Sequence, residues 1–182
     1  MMKRPGMGPG ARASSRSWAR RAAAAACTWA FLFAALSFFW AAGGRTGLHP
    51  LEQQPASSRT VWLVVNLAAG ILKIGGGLLA LAVVRTGEHR MIHRLLLAAA
   101  WMGGVGLCLY GGLGLVSDGL HVAGIINDLA TRNWFFWYLV LWDPWWVLGG
   151  GLYVATAWFT RRSDVEGAAA RRRSTVAVAN EP

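Results

Sequence analysis

The sequence predicts an all-α polytopic membrane protein, a bundle of four transmembrane helices with both termini in the cytoplasm. Three observations lead there. Hydrophobic residues make up 55% of the 182 and charged residues only 14%, about half the charge of a typical soluble domain. Four stretches are almost free of charge and long enough to cross a bilayer. The density of basic residues alternates from one connection to the next. A mean hydropathy of +0.38 agrees. Together these exclude a disordered acidic chain, a disulfide scaffold and an ordinary soluble enzyme domain.

The four stretches are residues 22–42, 61–84, 95–116 and 134–160. A helix needs about 20 apolar residues to cross the hydrocarbon core. Each must be helical, because lipid offers no partner to free backbone N–H and C=O groups. Before the first stretch lie six basic residues, Lys3, Arg4, Arg12, Arg16, Arg20 and Arg21. Arg85, Arg90 and Arg94 lie between the second and third, and Arg161, Arg162, Arg171, Arg172 and Arg173 follow the fourth. The opposite side holds only Arg45, Arg59 and Arg132. Cytoplasmic loops carry the excess of Lys and Arg, so fourteen against three puts both termini inside. Trp40, Trp62, Trp134 and Trp137 then fall at the outer interface, and Trp158 with Phe159 at the inner one, where amphipathic rings settle.

The first stretch resembles a signal peptide in its basic start and its Ala41-Ala42-Gly43 end. Its apolar run is too long, and Phe38-Phe39-Trp40 is too bulky for the cleavage site. An uncleaved anchor is expected. The net charge of +10 flanks membrane spans and forms no basic domain, so nucleic acid is excluded as a partner. The expected partner of the arginines is the anionic inner leaflet of the cell membrane. A membrane-protein partner or self-association is the further expectation.

Residues 1–21 and 161–182 are polar, Arg-rich and short of apolar surface, and are expected to be flexible cytoplasmic tails. The transmembrane domain is residues 22–160. Residues 43–60 contain Pro50 and Pro55 and should be irregular. Val122, Ile125, Ile126 and Leu129 recur with helical period, which predicts a short helix on the outer interface.

Cys27 and Cys108 stand alone, without the CxxC spacing of thiol chemistry. His89 and His93, beside Glu88, have the i, i+4 spacing of a metal pair. The connection supplies no third ligand, so a solvated loop is expected, and no metal or cofactor. Intramembrane charge costs roughly 2.5–3.5 kcal/mol on insertion scales, and two residues incur it. Lys73 is about 18 Å along the second span and Asp143 about 13.5 Å along the fourth. Both run inward, so an ion pair near mid-membrane is expected. Asn66, Gly70, Lys73 and Gly77 form one small, polar stripe. Gly104, Cys108 and Gly112 recur every four residues, and Gly150 sits in a Gly149-Gly150-Gly151 run. Small residues let membrane helices approach closely, so these glycines are expected at helix contacts. Asp143-Pro144 has a second interpretation, an Asp cap and first-turn Pro opening a short helix at the outer surface. The long kinked helix is favoured.

Phe38-Phe39-Trp40-Ala41-Ala42-Gly43-Gly44, Leu109-Tyr110-Gly111-Gly112 and the run from Leu141 through Asp143-Pro144-Trp145-Trp146 to Gly150 resemble a family of small actinobacterial membrane proteins with four predicted helices. That family is described only as a domain of unknown function. The resemblance covers about residues 22–160. Many members carry His where this chain has Ser37. The resemblance implies the four-helix fold and brings no substrate or catalytic residue. A structural or interaction component of the membrane is the leading expectation; the alternatives are a small transporter or proton-coupled carrier using the Lys73 and Asp143 pair, in a polar site that includes Asn66, and an enzyme acting on a lipid or quinone. The first and third spans contain no Asp, Glu, His, Lys or Arg, which weighs against the enzyme.

Overall fold

The computed structural model describes residues 9–47, 59–86, 89–125, 135–136 and 138–179. The described residues include four long α-helices: α1 (Pro9–Ala41), α2 (Arg59–Arg85), α3 (Arg90–Val122) and α4 (Asp143–Ala179), with a π-helical turn at Tyr138–Trp142 leading into α4. Among the described residues there is no strand. Ser14–Ala41 of α1, all of α2 and all of α3 are long and apolar enough to cross a membrane. The first half of α4 is diluted by Asp143, Pro144 and three glycines.

Two helix ends close by the same device. Gly43 (φ 98°) and Gly124 (φ 74°) adopt a backbone that L side chains avoid. Each lets the following N–H reach back: Gly44 donates to the Phe39 carbonyl at 2.9 Å and Ile125 to that of Leu120 at 3.0 Å. These are Schellman closures, and both fall at the end of the bundle away from the arginine clusters. Pro144 explains the π turn. It has no N–H to give and its ring crowds the carbonyl four residues back, so the chain widens just before it. The helix is widened here, neither simply kinked nor freshly capped.

Neighbouring helices are antiparallel. α1 and α4 form the central pair, α2 flanks α1, and α3 flanks α4; α2 and α3 barely touch. α1 supplies much of the core: Ala19, Ala23, Ala26, Ala30 and Ala34 are buried, with Trp29, Phe33 and Ser37 among them. Small residues on one stripe bring neighbouring backbones close. Trp29 and Phe33 then fill the centre against Trp145, Trp146 and Tyr153. Leu63, Val64, Ile71 and Leu72 of α2, and Met102, Leu109 and Leu113 of α3, stand exposed on the outside. In water that would be an exceptional apolar patch; against acyl chains it costs nothing.

The segments expected to be flexible tails are helical from Pro9 and as far as Ala179. They find partners in each other: Ser15 and Ala19 are buried, Trp18 stacks on Phe159 at 6.3 Å, and the Ser15 hydroxyl donates to Glu166 Oε1 at 3.3 Å. Arg162 Nε donates to the same oxygen at 3.1 Å. Ala and Arg are strong helix formers, so little packing is needed to extend the helices beyond the bilayer. His93 lies within α3, not in a solvated loop, with Nε2 2.8 Å from Asp164 Oδ2. The described residues contain no three-residue metal cluster, and Glu88 lies outside them. The expected interfacial helix also lies largely outside them, since Ile126 and Leu129 are not described; Val122 ends α3 and Ala123 to Ile125 turn.

Candidate functional site

The polar stripe of α2 faces α1. Asn66 is buried and donates to the Trp62 carbonyl at 3.0 Å, and Trp62 Nε1 donates to the Trp40 carbonyl at 3.1 Å. Gly70 leaves room for the Phe38 ring, and Gly77 for Phe31 and the Ala30 methyl. Between them Lys73 reaches over α1. Its Nζ donates to the Ser37 Oγ at 2.6 Å and lies 3.6 Å from the centre of the Phe33 ring. A desolvated cation over an aromatic face gains about 2 kcal/mol. With the Ser37 bond, that offsets much of the cost of placing the ammonium in apolar surroundings.

The expected ion pair between Lys73 and Asp143 does not form: the ion pairs among the described residues join His93 to Asp164 and Arg162 to Glu166. Depth is not the reason. Phe33 touches Lys73 on one side and Trp142 and Trp146, which bracket Asp143, on the other. The obstacle is azimuth. α1 stands between α2 and α4, and Asp143 is turned toward α3. There it is buried, with its carboxylate against Gly114, where any Cβ would collide. Its carboxyl faces that of Asp118, and Oδ2 has no hydrogen-bond partner among the described residues.

The α3–α4 seam also differs by one residue from the expected spacing. A Cβ at Gly104 would meet Gly150 O and Val154 N at 2.9 Å, and one at Gly150 would meet Gly104 O at 2.6 Å. The third close approach is Gly111, whose Cβ would lie 2.7 Å from Asp143 O; a Cβ at Gly112 would meet nothing within 4 Å. Seven residues return to within about 20° of the same face, whereas eight overshoot by about 80°. Gly112 therefore does not face a partner helix.

Where α2 and α3 part, a cleft of about 830 Å³ opens. Trp29 and Phe33 of α1 and Trp146 and Tyr153 of α4 form its floor, with Leu72 and Leu107 on its walls. Gly103 and Gly106 line it too, and a Cβ on either would meet nothing within 4 Å. Among the described residues, Lys73 is its one charged lining residue. The Tyr153 hydroxyl lies 2.9 Å from where a Cβ on Gly76 would sit, so Gly76 makes space for it. Trp29 Nε1 is already engaged with the Trp145 carbonyl at 3.1 Å. Of the residues singled out from sequence, only Lys73 lines the cleft; Asn66 and Asp143 lie elsewhere. Phe33 and Tyr153 were not foreseen, and Ser37 stood out only through the family resemblance, as the position where many members carry His. Phe33 and Ser37 do share a helical face, and Gly103 with Gly106 marked a thin wall.

Against this geometry, one comparison is positive. The family model described as a protein of unknown function (DUF3995) matches residues 30–153, a range that includes Phe33, Ser37, Lys73 and Tyr153. No curated protein and no solved structure matches the chain.

Proposed function

The chain belongs to the DUF3995 family, and from that premise we propose that it is a four-span protein of the cytoplasmic membrane that holds a lipid-soluble ligand in the cleft between α2 and α3. The antiparallel order gathers the basic residues at one end: Arg16, Arg20 and Arg21 of α1, Arg85 of α2, Arg90 and Arg94 of α3, and Arg161 and Arg162 of α4. The positive-inside rule makes that end cytoplasmic, facing anionic headgroups that contribute about 1 kcal/mol per basic residue. α4 runs beside α1 and α3 along their length and crosses with them as the fourth span.

The single observation carrying the ligand assignment is the cleft itself. It is of ligand size, since such sites run about 300–1,000 Å³, and it opens sideways where α2 and α3 fail to pack. Lys73 and Tyr153 line it, with no carboxylate or imidazole beside them among the described residues. Both side chains donate hydrogen bonds, and that set binds and orients a ligand that accepts them. The carrier built on a Lys73–Asp143 pair loses its premise.

The test is native mass spectrometry of the full chain released from its own membranes. A lipophilic molecule should be retained at one per chain, and Gly106→Phe, which fills the cleft without meeting backbone, should lose it. Equal retention by Gly106→Phe, or no retained molecule in the wild type, would overturn the proposal.

A further inference from the structure

The lining of the cleft restricts its occupant further. A lysine ammonium has three hydrogens to donate. One goes to Ser37 Oγ, and the Phe33 face takes up another side of the ammonium. A donor direction is left toward the cleft. The hydroxyl of Tyr153, which also lines the cleft, is a second donor. Among the described residues no Asp or Glu lines the cleft. Its polar corner therefore offers donors and asks for an acceptor.

Depth narrows the choice. Lys73 lies near the middle of the 27-residue α2, about 20 Å from either end. A phosphate or carboxylate head belongs at the headgroup layer, and drawing it to that depth would desolvate a second charge. The acceptor that reaches Lys73 from within the bilayer is neutral. Shape narrows it again. Trp29, Phe33 and Trp146 offer flat aromatic faces beside the donors, suited to stacking against a planar ring, while Leu72, Leu79 and Leu107 continue the lining as an aliphatic channel.

A neutral planar ring with carbonyl acceptors and an aliphatic tail is a lipid-soluble quinone. We propose that the cleft between α2 and α3 is a quinone-binding site. Lys73 and Tyr153 donate to the ring carbonyls, the aromatic floor holds the ring, and the isoprenoid tail leaves between α2 and α3 into lipid. This rests on the ligand-holding function proposed above. It concerns binding alone and includes no electron transfer.

The test uses the purified full chain in phosphatidylcholine nanodiscs, titrated with decyl-ubiquinone. Quenching of tryptophan fluorescence reports occupancy, because Trp29 and Trp146 wall the cleft. Saturable quenching is expected. Lys73→Met should weaken it by about tenfold or more, the loss expected for a hydrogen bond from a charged donor. Tyr153→Phe, which keeps the ring and removes only the donor, should weaken it by a smaller factor. Farnesol, a tail without carbonyls, should not compete. Quenching that never saturates, affinity unchanged in both variants, or equal competition by farnesol would overturn the quinone assignment. If native mass spectrometry finds another lipophile, such as a phospholipid acyl chain in the cleft, and decyl-ubiquinone fails to bind, the quinone falls and the ligand cleft stands. If Gly106→Phe alters neither measurement, both fall.

Discussion

Adding one methyl group at two adjacent positions of α3 should have opposite effects. A Cβ at Gly111 would lie 2.7 Å from Asp143 O, 2.8 Å from Trp146 Cβ and 2.9 Å from Val147 N. Two of those atoms are backbone at the start of α4, where Pro144 and the π turn already fix the chain. The methyl cannot be accommodated by turning a side chain, so α3 and α4 must separate. Overpacking of this kind costs about 1–3 kcal/mol, and the backbone targets put Gly111→Ala at the upper end. Gly112→Ala meets nothing within 4 Å. It gains the helix preference of Ala over Gly, about 1 kcal/mol. Gly111→Ala makes the same helix gain, so the two variants should differ by the overpacking cost alone, about 3 kcal/mol. At about 2–4 °C per kcal/mol for a chain of this size, the melting temperatures in mild detergent should differ by roughly 6–12 °C. Indistinguishable melting temperatures, or Gly112→Ala the less stable, would refute the α3–α4 seam described here.

Three further outcomes follow from the same geometry. Lys73→Met and Asp143→Asn should act independently, their stability effects adding within about 0.5 kcal/mol as for sites without a shared contact; a coupling well above that, in a double-mutant cycle, would restore the ion pair. Backbone amides of residues 161–166 should resist hydrogen exchange, because Ser15 and Arg162 hold Glu166 in a helix, whereas exchange at random-coil rates would show an unstructured tail. Thr46→Cys should react with an impermeant maleimide added to intact cells and Ser174→Cys should not, and the reverse pattern would invert the threading.

Much of the architecture was legible because bilayer-spanning segments have a length and a charge signature that act residue by residue. α2 was found almost whole, since nothing inside it interrupts the apolar run except Lys73; of α3 only the apolar middle was found, because His93 and Arg94 before it and Asp118 and His121 after it have the polarity of loops. The helical extensions of α1 and α4 were missed for a physical reason. Residues 14–21 and 161–166 look unable to bury surface alone; they find partners far away in the sequence, Ser15 with Glu166, 151 residues apart, and Asp164 with His93 of α3. The candidate site was legible in part. Lys73 stood out because charge in a span needs a reason. Helical rise gave its depth but not which neighbour it would face, and that depends on α1 occupying the centre. Ser37, whose oxygen takes Lys73's hydrogen bond, carries no charge, and composition and spacing did not mark it; only the family resemblance did. Gly112 was expected at the seam in place of Gly111 because a spacing of four matches one turn only approximately, and the error accumulates over two turns.

The most direct measurement of the central claim is a structure of the full chain in a lipid nanodisc prepared from its native membrane. The account predicts elongated density between α2 and α3, with one end over Trp29 and Phe33 and within hydrogen-bond distance of Lys73 Nζ. Direct packing of Leu72 against Leu107, with the cleft closed and Lys73 turned away from it, would contradict the account.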